Sequence, residues 1–255
     1  MEPALLTRRP ARLAPYVSAI HDFASPAMAL AVQPASLDVP IIIALSGDFR
    51  IAFDRPPGPE DRVASFASGL HPGTVAIDST GSAACVQINL TPLGARLVLR
   101  QPMDAFAGRL VPLDALALDD LPDRLPDAAT PAARIAVAEA WAARRIAAAR
   151  TEEDREARAT AAAYRLLVRT HGRVRVETLA ERLGWDRKRL AGRFRTDFGL
   201  TPKPLARILR FRHAAAMAAV AAAPDWADIA AACGYADQPH LVREYRRLAG
   251  RTPAA

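Results

Sequence analysis

The chain has 255 residues, 51% hydrophobic and 24% charged, with a net charge of +7; it is long enough for one large domain or two modest ones, and its composition fits a soluble globular protein rather than a disordered one. It opens MEPALLTRRPARLAPY with no long apolar stretch behind a basic start, and no run of about 18 apolar residues follows, so a cytoplasmic location with no membrane partner is expected. Two lone cysteines, Cys85 and Cys233, suggest neither a disulfide framework nor a paired-thiolate zinc site, and both are expected to be buried and reduced.

Charge is unevenly spread. Residues 171–255 hold 16 Lys/Arg against 8 Asp/Glu, whereas residues 1–170 hold 18 against 19. Such asymmetry points to a polyanion-binding module joined to a neutral partner domain.

In chain order, the first 90 residues read as strands. VPIIIALSG (Val39 to Gly47) and DFRIAF (Asp48 to Phe53) are short apolar or alternating runs followed by the turn-rich DRPPGPED. GTVAIDST and ACVQINLTP come next, the latter alternating Val86, Ile88 and Leu90 inward with Gln87 and Asn89 outward. This spacing suits an antiparallel barrel or sandwich. LGARLVLRQPMDAFAG reads as helix up to Pro102, and ALDDLPDRLPDAATP, with three prolines, reads as a linker. A helix over 132–149 follows. The next helical segment carries a capping-box-like pair, Thr151 and Asp154, and stops at Gly172. The predicted organisation is a β-rich effector or dimerisation domain over 1–115, a helical linker region over 116–150 and a helical domain over 151–255. The fold class is α+β.

The last eighty residues repeat themselves. Val176, Leu179, Ala180 and Leu183 fall at i, i+3, i+4 and i+7, and Trp226, Ile229, Ala230 and Cys233 do the same fifty residues later. Each stripe is followed by a glycine and an aromatic residue, Gly184-Trp185 and Gly234-Tyr235, and then by an aspartate suited to capping a new helix, Asp186 or Asp237. In the second helices, about 187–198 and 238–249, Leu190 with Phe194 and Leu241 with Tyr245 form inner faces. Opposite them lie Lys188, Gly192 and Arg195, with Ala191 at the margin, and Pro239, Arg243 and Arg246, with His240 and Arg247 flanking. Thr201 and Pro202 open a helix of about 20 residues between the units, a rod of roughly 30 Å, near the ~34 Å that separates major-groove windows on one face of B-DNA.

With LAERLGWDRKRLAGRF, FGLTPKPLARILRFRHA, IAAACGYADQPHL and REYRRLAGRTP in view, residues from about 152 to 255 resemble the DNA-binding domain of the AraC/XylS family of bacterial transcription regulators. The resemblance implies two helix-turn-helix units on one linker helix reading adjacent major grooves of a double-stranded operator. It places Lys188, Ala191 and Gly192 at base-reading positions of the first unit, and Gln238, Pro239, His240 and Arg243 at those of the second. Because Ala191 and Gly192 have no polar side chain, Arg195 joins Lys188 as a candidate reader. Guanine suits Arg243 or Lys188, adenine suits Gln238, and Arg187, Arg193, Arg246 and Arg247 are expected on phosphates. The resemblance also implies a further helix after Thr252-Pro253, which the sequence ending at Ala255 would leave reduced.

The same resemblance implies an N-terminal cupin-like domain that senses a small-molecule effector or forms a homodimer. His21 and His71 stand apart, so no metal site is expected; no cofactor is called for, and no nucleophile, base and orienter can be assembled into a catalytic set. His71 reads as a turn or rim residue, and Trp141 as a core contact more readily than a dimer seam. The alternative function is an enzyme with a catalytic β-domain and a DNA-localising tail. A DNA-repair methyl acceptor ranks last, since Cys85 lacks thiolate-activating company.

Overall fold

A computed structural model of the chain describes residues 4–118, 120–221 and 223–253; the end of the chain, where a reduced terminal helix is expected, lies largely outside the described residues. Among these residues ten strands form two antiparallel sheets. The larger contains β1 (Ala4–Arg8), β2 (Val17–Ser25), β4 (Val39–Ser46), β7 (Phe66–Ser68), β9 (Ala83–Leu90) and β10 (Leu110–Pro112), ordered β1-β2-β9-β4-β7-β10. The smaller contains β3 (Ala31–Gln33), β5 (Phe49–Phe53), β6 (Arg62–Val63) and β8 (Val75–Asp78), ordered β3-β8-β5-β6. All four strands expected from alternation are present, and the α+β class holds.

The faces of the large sheet differ from the expected polarity. Val86, Ile88 and Leu90 are buried, as alternation requires, together with Ile20, Ile41 and Ile43. They face helices rather than the second sheet, packing against α1 (Pro92–Leu99) and α3 (Pro131–Thr151) in one continuous core. Gln87 and Asn89, expected outward, instead line a cavity of about 150 Å³ between the two sheets. A two-layer sandwich would make the inner face apolar. The two sheets do share an apolar cluster, Ile42, Phe66 and Cys85 of the large one with Phe49 and Ile51 of the small one, and Gln87 and Asn89 lie beside it on the inter-sheet side.

Three helical expectations are corrected. The helix after β9 ends at Leu99, because Arg100 adopts a left-handed backbone (φ 54°) before Pro102 is reached. The proline-rich stretch forms a helix, α2 (Leu121–Asp127), in which Leu121 and Leu125 are buried; Pro122 stands in its first turn, where a missing N–H has no helical partner to lose, while Pro126 in the last turn forgoes one bond. Thr151 is not a cap but the last residue of α3, and Asp154 alone caps α4 (Arg155–Arg169), accepting from the Ala157 N–H at 2.6 Å.

The 116–150 segment packs closely on the sheet. Arg134 of α3 forms a two-bond ion pair with Asp22 (Nε–Oδ2 2.6 Å), a residue only 6% exposed; buried charge persists where it is paired in this way. Trp141 is 1% exposed, with its indole N–H donating to the Leu118 carbonyl at 3.1 Å, and so is a core residue of the chain. Among the described residues no helix is long and apolar enough to cross a membrane.

Candidate nucleic-acid interface

Among the described residues α4 is followed by α5 (Val176–Leu183), α6 (Arg187–Phe198), α7 (Pro202–Val220), α8 (Trp226–Ala232) and α9 (Gln238–Ala249). The sequence echo becomes a hydrogen-bond echo. Trp185 N–H donates to Ala180 O at 3.0 Å and Tyr235 N–H to Ala230 O at 2.9 Å; Gly184 N–H reaches Glu181 O and Gly234 N–H reaches Ala231 O in the same register. Both glycines are left-handed, φ 65° and 76°, a conformation that costs a residue with a Cβ roughly 1 kcal/mol or more. Each turn then delivers the chain to an aspartate cap: Asp186 accepts from Arg189 N–H at 2.7 Å, and Asp237 from His240 N–H at 2.6 Å. Such a cap is worth about 1 kcal/mol.

The two second helices are seated differently. Leu190, Phe194 and Phe198 of α6 are fully buried, with Phe198 against Tyr164 of α4 (ring centroids 4.8 Å), in the cluster that continues into the N-terminal half. Leu241 of α9 belongs to a smaller cluster with Ala214 of α7 and Ile229, Ala230, Cys233 and Tyr235. Tyr245 touches both clusters, edge-on to Phe211 and to Trp226. The first unit is therefore part of the main core, while the second has a cluster of its own with α7 and α8 and joins the main core through Leu248 and Ala249 at the end of α9.

Ion pairs sort the cations. Arg187 lies 3.1 Å from Glu177, Arg189 pairs with Glu156, and Arg193 lies 3.4 Å from Asp197 and 3.8 Å from Glu156. Arg207 of α7 holds Glu244 of α9 through two bonds, one of 2.6 Å. Burial works to raise the Glu244 carboxyl, and the hydrogen bonds and charge of Arg207, with smaller charge effects around them, together hold it below the ordinary carboxylate range. By contrast, Lys188, Arg195, Arg243, Arg246 and Arg247 are exposed and have no carboxylate within 4 Å among the described residues. Gln238 and Pro239 are also exposed, and His240, Ala191 and Gly192 are partly so. Two helix faces thus carry uncompensated positive charge.

Both second helices are tethered at their C-terminal ends. A Cβ on Gly199, after α6, would meet Met103 O at 2.9 Å, and one on Gly250, after α9, would meet Thr74 Cγ2 at 3.2 Å. The Ala35 N–H, before β4, donates to Leu248 O at 2.7 Å. Sequence reasoning did not single out Arg189, which lies over Trp185 (4.9 Å to the ring centroid), or Arg207, which fixes α9; in a chain so rich in arginine only their partners distinguish them.

In the N-terminal half, His71 lies at the edge of the inter-sheet cavity, its Nε2 2.8 Å from Asp54 Oδ2 and its ring against Phe53. Burial raises the Asp54 carboxyl, but hydrogen bonds from Thr74 N–H and His71 outweigh this and hold it low. His21 bonds to Thr7 and approaches Asn89. Burial depresses the His21 imidazole, Arg9 adds to this and Asp38 opposes it. Cys85 and Cys233 are buried; burial pushes the Cys85 thiol up to about 12, far from nucleophilic thiolate. Among the described residues no group of three or more His, Cys, Asp or Glu could hold a metal ion.

A family model described as a helix-turn-helix domain matches residues 179–255. Among solved structures, one described as a probable AraC family transcriptional regulator from Rhodopseudomonas palustris is 23% identical over 38% of this chain and 91% of its own, with a TM-score of 0.34. ToxT from Vibrio cholerae is 9% identical over 99% of this chain and 97% of its own, with a TM-score of 0.48. The AraC-like transcriptional activator CuxR is 16% identical over 85% and 87%, with a TM-score of 0.30. No curated protein matches the chain. With two capped helix-turn-helix units repeated at a fifty-residue interval on one linker helix, residues 179–255 form a helix-turn-helix domain.

Proposed function

We propose that the chain is a sequence-specific DNA-binding transcription regulator that inserts α6 and α9 into adjacent major grooves of one duplex. The observation that carries this reading is the separation of paired from unpaired cations. Lys188 and Arg195 on α6, and Arg243, Arg246 and Arg247 on α9, are exposed without acidic partners among the described residues, while the neighbouring arginines are taken up in ion pairs. Uncompensated charge on two helix faces is what phosphate contacts require. Helix α7, 19 residues long, spans about 28 Å at 1.5 Å per residue, of the order of one DNA turn.

Within this reading Lys188, Arg195, Gln238, His240 and Arg243 face base edges, Ala191, Gly192 and Pro239 shape close approach, and Arg246 and Arg247 bind phosphates. Arg187 and Arg193 reach phosphate only by exchanging Glu177, or Asp197 and Glu156, for it. The cavity between the sheets is the place for a small-molecule effector. Selection of bound sequences from a random DNA pool tests the function: enrichment of a bipartite site is expected, and failure to enrich any sequence would overturn it.

A further inference from the structure

The inter-sheet cavity has a chemical bias that narrows its ligand. On its polar side Gln87 donates to Asn89 (2.7 Å), and Asn89 faces His21 at 3.3 Å; the depressed His21 imidazole keeps this network uncharged near neutral pH. The apolar lining comes from both sheets, Ile42, Phe66 and Leu110 beside Gln87 on the large one and Ile51 and Ile77 on the small one. Among the described residues lining the cavity none is Lys or Arg.

One carboxylate lines it. Asp38 precedes Val39, which is buried against the helices, so alternation turns Asp38 to the cavity side with Pro40 and Ile42, and all three line the cavity. Its two oxygens accept from hydroxyls, Ser18 at 2.7 Å and Ser36 at 3.0 Å. Among the described residues no cationic group lies within 4 Å of it. A part-buried carboxylate whose hydrogen-bond partners are hydroxyls retains lone pairs for a further donor. At the rim, His71 Nε2 and Asp54 Oδ2 are hydrogen-bonded to each other at 2.8 Å.

A cavity of about 150 Å³ is large enough for a benzene-sized ring. We propose that it binds a small amphipathic amine, its ammonium group on Asp38 and its apolar body between Ile42, Ile51 and Phe66. A carboxylate or phosphate ligand would meet Asp38 with like charge and find no cation in the cavity wall. This inference rests on the effector reading above. The segment bearing Asp38 also carries Ala35, whose N–H holds the end of α9, so occupancy has a direct route to the second recognition helix.

The test is isothermal titration calorimetry of the full chain with three probes of one shape, phenethylamine, 2-phenylethanol and phenylacetate. Saturable binding of the amine, at least tenfold tighter than the alcohol and with no binding of the acid, is expected. Asp38→Asn should lose at least tenfold for the amine while leaving the alcohol unchanged, with circular dichroism and Tm confirming the fold. Equal binding of amine and alcohol, preference for the acid, or no binding of any probe would overturn the proposal. The comparison of probes on the unmodified chain needs no variant to fold. DNA selection without ligand is scored separately, so loss of the amine site and loss of the DNA-binding reading cannot be confused.

Discussion

Replacing Gly192 by alanine separates what α6 needs to fold from what it needs to bind. Gly192 lies mid-helix with ordinary helical backbone, and a Cβ there would meet nothing within 4 Å outside its own helix. The substitution therefore removes only the entropic penalty of glycine, a gain of roughly 0.8–1.0 kcal/mol, which in a chain of this size raises Tm by about 2–4 °C. On the proposed interface the same methyl group projects toward the groove floor and holds the backbone away, so operator affinity should fall about tenfold, ~1.4 kcal/mol. Differential scanning fluorimetry and fluorescence anisotropy on a selected operator read the two effects independently. A lower Tm would refute the helix environment described here. Unchanged or tighter operator binding would refute close approach of the α6 backbone.

Further outcomes are expected. Arg243→Ala should cost ~1–3 kcal/mol on the selected operator and relax specificity at one position, whereas Arg247→Ala should weaken all sequences alike and reduce the salt slope by about one; competition anisotropy across salt concentrations distinguishes them, and equal binding by the Arg243→Ala protein would remove its base-reading role. Phe194→Ala, at a side chain with 0% exposure, should destabilise the chain by about 3–5 kcal/mol in urea unfolding, and a loss below ~1 kcal/mol would show that α6 is not seated on this core. His21 is depressed by burial, then by Arg9; His213 is depressed by burial, then by its stacked neighbour His171 (ring centroids 4.0 Å apart) and Arg173. Each folded-state value lies below the unfolded one, near ~6.5, so their contribution is complete above that pH and is lost as pH falls through it toward the folded values. Urea midpoints should therefore fall between about pH 7.5 and 5.5, less so in His213→Gln, and a flat profile for the unmodified chain would contradict the burial of these rings.

The helical third was legible because its signals are local. Stripes at i, i+3, i+4 and i+7, left-handed glycines and aspartate caps fix each turn within a few residues, and the starts of α6 and α9 follow from Asp186 and Asp237 alone. The N-terminal half depends on contacts far apart in sequence. Alternation in β9 separates Val86 from Gln87 but cannot say which face meets helices and which meets a second sheet; that is decided by α3, some fifty residues downstream. The stretch around Pro122 misleads in the same way: its three prolines read as a linker until Leu121 and Leu125 find a core to enter. Within the site, helical spacing makes Asp197 a legible partner of Arg193 but cannot supply Glu156, which the fold brings from another helix. Asp197, one turn on, and Glu156, from α4, both claim Arg193 and set it apart from Arg243 and Arg247.

The most direct measurement is a hydroxyl-radical footprint of the chain on its selected operator. Two protected windows on one face of the duplex, spaced by about one helical turn of 10–10.5 base pairs, are expected, with Lys188→Ala weakening one and Arg243→Ala the other. A single window, or two that weaken together whichever helix is altered, would contradict the placement of α6 and α9 in neighbouring grooves.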